Sequence, residues 1–274
     1  MCIRDRPDSV KWNGGSAPTL ISDAPADWAK QQFQFLTRDS GVTWYAWESY
    51  KNEANNWSLF SWGINQGGEL GQNQVGPWNG TPAWAHSRSS PTQVGTDTTW
   101  STNINHWGPS DGHSMFAIKT DGTLWTWGYE DNGSLGLNNK GVSQSSPVQI
   151  PGTYTSVGGT GMGGSAVKSD GTIWGWGRNK NGQLGQGGLG LSSSRSSPVQ
   201  MGTDTDWQTV AKGGLRQTGC VKTDGTYYNC GSGDTGSLGH DNTGDQATMT
   251  QVPGTYTTNY RQVQMDNAFL IKEV

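Results

Sequence analysis

AIKTDGTLWTWG, residues 117–128, reads as strand, turn, strand. β-formers stand on both sides of Asp121-Gly122, and Asp-Gly in that setting is the strongest short-range hairpin signal. The reading predicts a two-residue type I′ turn, with positive φ at both central residues. The pattern recurs as AVKSDGTIWGWG at 166–177 and as CVKTDGTYYNCG at 220–231. A looser copy, FLTRDSGVTWYAW at 35–47, carries one extra turn residue in Asp39-Ser40-Gly41.

Outward from the hairpin, each copy is followed by Gly-x-Leu-Gly, at 68–71, 133–136, 182–185 and 236–239. Proline-marked strands lie between the copies: SAPTLI at Ser16, SSPTQV at Ser89, SSPVQI at Ser145, SSPVQM at Ser196 and MTQVPG at Met249. Aligned on Trp62, Trp127, Trp176 and Cys230, the copies are 65, 49 and 54 residues apart. Self-similarity at this period makes each copy one supersecondary unit that buries its faces against its neighbours. The reading gives a leading segment at 1–15 and one repeat domain at 16–274. Its units are about 16–88, 89–144, 145–195 and 196–248, with a partial one at 249–274. A helical period is absent except at Asp27–Phe35, which has room for a turn or two. Short strands with a glycine and aromatic motif in each unit predict an all-β fold, a β-propeller of four-stranded blades with about five blades present. The leucine of Gly-x-Leu-Gly is expected to plug the gap between blades. Trp44, Trp62, Trp125, Trp127, Trp174 and Trp176 are expected to be core anchors.

The succession Ser-Ser-Pro-x-Gln-Val, Lys-x-Asp-Gly-Thr-x-Trp-x-Trp-Gly and Asn-x-x-Gly-x-Leu-Gly resembles the repeats of the regulator of chromosome condensation family. The resemblance spans about 16–274. It implies an RCC1-like propeller, commonly of seven blades, so this chain reads either as a smaller closed ring or as an incomplete seven-bladed one. A smaller ring would close by pairing the terminal AFLIKEV with the leading VKWNGG. The fragment reading is preferred because the opening MCIRDR resembles the adapter remnant of translated environmental reads. Some family members exchange nucleotide on a small GTPase through a basic tail and a projecting wedge, and neither is read here. Related bacterial propellers inhibit β-lactamases through an aromatic-rich face. His113-Ser114 resembles a His-Ser pair of the family's repeats.

Composition supports a packed fold. The chain has 42 glycines and 15 tryptophans, with 15% charged residues and a net charge of −4. Tight turns and large anchors fit that composition, and disorder does not. Basic residues are scattered, so no footprint for nucleic acid is expected. No apolar run is long enough for membrane insertion. The Ser/Thr/Asn/Gly-rich surface leans towards an extracellular, cell-surface or virion setting. In the two-residue register Cys220 faces Asn229, and Cys230 lies on the opposite face, so no disulfide joins them.

Candidate chemistry is sparse. Gly-x-Gly-x-x-Gly occurs at Gly159-Gly161-Gly164 and Gly185-Gly187-Gly190, but no helix follows to meet a pyrophosphate, so no cofactor is expected. His86, His106, His113 and His240 lack metal-ligand spacing, so no metal is expected. Strand positions that would line a catalytic channel read Gly164-Ser165-Ala166 and Thr218-Gly219-Cys220, without acids. The insertion QNQVGPWNGTPAWAHSR, residues 72–88, breaks the repeat. Its Trp78, Trp84, His86 and Arg88, with the off-repeat Trp107, are the candidate binding residues, because tryptophan and arginine are enriched at binding hot spots. The expected function is a non-catalytic binding module for a protein or glycan, monomeric if the ring closes. The alternative is a carbohydrate-active enzyme with its site at the central channel.

Overall fold

The computed structural model describes residues 57–74, 86–110, 113–210, 214 and 216–255, with the backbone alone of 32–37 and 44–51. Strands β1 (Gln32–Thr37), β2 (Trp44–Lys51), β3 (Trp57–Gly63) and β4 (Arg88–Gln93) form the first sheet in sequence order. Strands β5 (Trp107–Pro109), β6 (Ser114–Ile118), β7 (Thr123–Gly128) and β8 (Gln144–Thr160) continue into β9 (Gly163–Lys168), β10 (Ile173–Gly177) and β11 (Arg195–Gln200) as one seven-stranded sheet. The merger has a simple cause. The first half of β8 pairs with β7 and its second half with β9, so one long strand serves two blades. Strands β12 (Trp207–Val210), β13 (Gln217–Lys222), β14 (Thr226–Gly231) and β15 (Gln246–Thr255) complete the fourth blade. Every pairing of neighbouring named strands is antiparallel. The fold is all-β, with propeller blades, and among the described residues the sheets do not close on themselves.

The Ser-Ser-Pro segments are fourth strands: β4 pairs with β3, β8 with β7 and β11 with β10. A unit counted from Ser-Ser-Pro is therefore one strand out of step with the blade. Of the stretch Asp27–Phe35, residues 32–35 belong to strand β1, whose Gln-Phe-Gln-Phe alternation has the strand period. SAPTLI, the leading segment and the terminal AFLIKEV lie outside the described residues.

The hairpin turn differs from the expected one. The Lys119 N–H donates to the Thr123 carbonyl at 2.9 Å and the Gly122 N–H to the Lys119 carbonyl at 3.0 Å. Thr120-Asp121-Gly122 is thus a three-residue turn, and of these only Gly122, at φ 83°, is left-handed. The aspartate side chain explains the choice. Asp121 Oδ1 accepts from the Thr123 N–H at 2.9 Å and the Thr123 hydroxyl at 2.7 Å, an Asx-type arrangement. Asp170 holds Thr172 and Asp224 holds Thr226 in the same way. Thr side-chain and backbone donors keep all three carboxyls below the ordinary aspartate value. The extra turn residue also shifts the register. Cys220 faces Tyr228 and Cys230 faces Thr218, so both thiols share one face of the sheet instead of opposing faces. Both are free and buried. Burial, then the neighbouring Cys230, raises the Cys220 thiol well above its usual value, and burial pushes Cys230 to about 12.

The core lies between blades. Leu59 and Val94 of the first blade pack with Trp100, Trp107, Met115 and Trp127 leading into and within the second. Phe116, Ile118, Leu124 and Ile150 of the second meet Tyr154, Val157, Ala166 and Trp176 of the third. Val167, Ile173 and Met201 of the third meet Trp207, Val210, Cys220 and Cys230 at the fourth. The plugging leucines Leu70, Leu135, Leu184 and Leu238 are all buried. Each interface is also pinned by hydrogen bonds. The Trp127 indole N–H donates to the Glu69 carbonyl at 2.8 Å, and that of Trp176 to the Ser134 carbonyl at 3.1 Å. Each acceptor immediately precedes a plugging leucine. Gly136, at φ 70°, lies so close that an added Cβ would stand 2.9 Å from the Trp176 ring. Trp127 and Trp176 are core anchors, at 1% and 0% exposure. Trp62, Trp125 and Trp174 are only half-buried, and the side chain of Trp44 lies outside the described residues. Trp125 and Trp174 sit near the hairpin tips, where the wedge between blades opens to solvent.

Candidate binding surface

Strand alternation sorts the connections between two ends of the propeller. The Asp-Gly hairpins and the connectors from blade to blade lie at one end. The long connections from third to fourth strand lie at the other, and each begins with its Gly-x-Leu-Gly plug. In the first three blades one polar side chain accepts from the N–H of the plugging leucine. Asn65 accepts from the Leu70 N–H at 3.1 Å and donates to the Gln74 carbonyl at 2.9 Å. Asn179 accepts from the Leu184 N–H at 2.9 Å and donates to the Gly188 carbonyl at 3.0 Å. Glu130 takes this place in the second blade, accepting from Gly133 and Leu135 N–H groups at 2.6 and 2.9 Å. Burial raises its carboxyl above the ordinary glutamate value, and those N–H groups oppose the rise.

The insertion is stapled where it leaves and rejoins the blade. Gln72 Nε2 donates to the Thr92 carbonyl at 2.9 Å and the Ser61 hydroxyl at 3.0 Å. Arg88 Nη2 donates to Gln74 Oε1 at 2.6 Å, bridging the two stems. His86 is half-buried beside Arg88 in sequence. Trp78 and Trp84 lie outside the described residues. Trp107 stands apart from this group. It opens β5 at the hairpin end, is 8% exposed, and donates its indole N–H to the Ser101 carbonyl at 2.8 Å. Its ring centroid is 6.1 Å from that of Trp100, within the first interblade core.

The long-connection end also carries three exposed apolar residues that sequence reading passed over. Val142, Leu189 and Leu191 are 48%, 55% and 51% exposed on the connections of the second and third blades. In the sequence they are single apolar residues among Gly and Ser, without a period to mark them. His113, at φ 65°, places Nδ1 2.6 Å from Glu69 Oε1 across the first interface, both groups largely buried. Glu69 lies inside a Gly-x-Leu-Gly plug, where the motif leaves the residue unspecified. The first Gly-x-Gly-x-x-Gly runs on into strand β9 and the second only into the three-residue 3-10 turn Leu191–Ser193, so neither opens an α-helix. Gly159 instead lets two strands touch, since a Cβ there would lie 1.9 Å from the Pro109 carbonyl oxygen. Among the described residues no group of three or more His, Cys, Asp or Glu is placed to hold a metal, and no helix is long and apolar enough to cross a membrane.

This geometry has relatives. The regulator of chromosome condensation (RCC1) repeat matches residues 121–158 and 170–215. Those two stretches of the chain are RCC1-type repeats. No curated protein matches it in sequence. Prp20p of Saccharomyces cerevisiae, described with its binding to Gsp1p and histones, superposes with a TM-score of 0.55 at 15% identity, over 80% of this chain and 60% of that one. Yeast RCC1 (Prp20) bound to Kap60 superposes with a TM-score of 0.57 at 16% identity, over 80% and 58%. Likeness at this identity is a likeness of fold. The chain spans about three fifths of the length of those two proteins.

Proposed function

We propose that this RCC1-like propeller is a non-catalytic binding protein whose contact surface is the end bearing the long connections. Trp78, Trp84, His86 and Arg88 of the insertion form the principal contact, and the buried Trp107 belongs to the core that supports the blade. The observation that carries the reading is the exposure of Val142, Leu189 and Leu191 on the same end as the stapled insertion. Exposed apolar residues on scaffold-held loops mark interaction sites. A protein partner fits best, because the structural neighbours are described in complex with, or binding to, proteins. The strand positions at Gly164-Ser165-Ala166 and Thr218-Gly219-Cys220 offer no acid pair for glycoside hydrolysis. Replacing Trp78 and Trp84 together with alanine is expected to leave the thermal melt unchanged. It should weaken binding to the partner isolated with the wild-type chain by at least about tenfold, the scale of one hot-spot residue. Unchanged affinity removes the insertion as the contact. Hydrolysis of any member of a glycan panel would instead place the protein among enzymes.

A further inference from the structure

Lys119, Lys168 and Lys222 occupy one position in three consecutive blades, each just before its hairpin turn. All three ammonium groups lie over aromatic rings, which favours a cation there. Lys119 Nζ is 3.7 Å from the Trp125 centroid and 5.0 Å from that of Trp100. Lys222 Nζ is 5.1 Å from both Tyr228 and Trp207. Lys168 Nζ is 3.5 Å from Trp174 and 5.9 Å from Tyr154.

The three differ in their acidic partners. Lys119 pairs with Asp97. Lys222 pairs with Asp204 at 2.7 Å and Asp206 at 3.0 Å. Those carboxylates come from the connectors entering the blades, which read Gly-Thr-Asp-Thr-Thr-Trp100 and Gly-Thr-Asp-Thr-Asp-Trp207. The connector entering the third blade reads Gln-Ile-Pro-Gly-Thr-Tyr154. Pro151 therefore stands where Asp97 and Asp204 stand, three residues before the aromatic. Lys168 has no carboxylate partner among the described residues, and it is half-buried while Lys119 and Lys222 are buried. Gly152, at φ 116°, leaves the space beside the lysine stem open, since a Cβ there would contact Lys168 Cε at 3.4 Å. The substitution is not a single lapse. Val252-Pro253-Gly254-Thr255-Tyr256 repeats it at the next junction, with Gly254 at φ 121°.

We propose that Lys168, framed by Tyr154, Trp174 and Gly152, is a docking position for an acidic side chain of a partner polypeptide, at the hairpin end of the propeller. The nearby ionised Asp170 does not forbid it. Asp121 and Asp224 stand in the same relation to Lys119 and Lys222, and those lysines hold their carboxylates all the same. The site lies at the opposite end from the insertion and stands independently of it.

The test is an NMR titration of the full chain, with labelled lysine, by acetyl-Gly-Asp-Gly-amide. Lys168 side-chain signals are expected to shift saturably, and more than those of the exposed Lys140 and Lys180. The asparagine counterpart of the peptide should leave them in place. Pro151→Asp, which supplies the carboxylate from within, should abolish the response. Should that variant misfold, Lys168→Gln must abolish the accompanying shift of the Trp174 indole. Equal shifts at all three lysines, or an equal response to the asparagine peptide, overturn the proposal. A larger Lys168 response to inorganic phosphate than to the aspartyl peptide overturns it as well.

Discussion

Two interfaces of this propeller solve the same packing problem with different atoms. Between the second and third blades, Trp176 fills the wedge, meets Phe116 edge-on at 5.3 Å between ring centroids, and bonds the Ser134 carbonyl. Gly164 makes room for the ring, since a Cβ there would lie 2.5 Å from it. Between the third and fourth blades the equivalent residue is Cys230. Thr218 stands where Gly164 stood, and its hydroxyl donates to the Gln183 carbonyl at 2.7 Å. Cys230 Sγ adds a longer contact to the same oxygen at 3.5 Å. Met201 and Met249 close in beside Gly185, occupying volume the indole would have filled. What is retained is the satisfied carbonyl before the plugging leucine, together with a filled wedge. The indole is one way to achieve both, and flexible methionine another.

The comparison breaks most sharply at Trp176. Trp176→Ala is expected to lose about 3–5 kcal/mol in chemical denaturation, because a fully buried indole leaves a cavity and an unpaired carbonyl. Thr218→Val keeps the volume and removes the donor. It should lose about 1–3 kcal/mol, the cost of an unsatisfied buried acceptor. Cys230→Ala removes one small group and should lose about 1 kcal/mol. A loss at Cys230 equal to that at Trp176 would mean that the thiol, not its neighbours, carries the fourth interface.

A subtler difference lies in what anchors the plug on the preceding blade: Glu130 at one interface, Asn179 at the other. The folded-state value of Glu130 is raised above its unfolded one. Its contribution is therefore fully present below the unfolded value near 4.5, and is lost as pH rises through the folded value. The stability of wild type relative to Glu130→Gln should accordingly decline as pH rises above about 4.5. Asn179→Asp puts a carboxylate in the corresponding buried place, so there it is the variant that should lose stability relative to wild type as pH rises. Urea unfolding at a series of pH values measures both, and a flat Glu130 difference would contradict the assignment.

The blades were legible because three signals coincide in the second and third copies, the Asp-Gly turn, the paired tryptophans and the Gly-x-Leu-Gly plug, while the first copy lacks Asp-Gly between its second and third strands and the fourth has Cys230 for a tryptophan. Burial of Trp127, Trp176 and the four leucines follows from them. The turn length was not legible. Asp-Gly suits both a two-residue and a three-residue hairpin, and the bond from Asp121 to Thr123 decides between them. That one residue moved Cys220 and Cys230 onto the same face. Blade phase was hidden as well, since Ser-Ser-Pro marks an outer strand equally well at the start or the end of a unit. The insertion stood out through its length, whereas Val142, Leu189 and Leu191 carry no pattern. The Lys168 difference becomes visible only when sister blades show what its equivalents bind.

The central claim is that indole rings locked between consecutive sheets hold this molecule together. Hydrogen exchange of the indole N–H groups reads it directly. Trp127 and Trp176 should exchange only through global unfolding, while the half-buried Trp125 and Trp174, bonded to Thr123 and Thr172 of their own hairpins, should exchange by local opening. Exchange of Trp176 as fast as that of Trp174 would contradict the account.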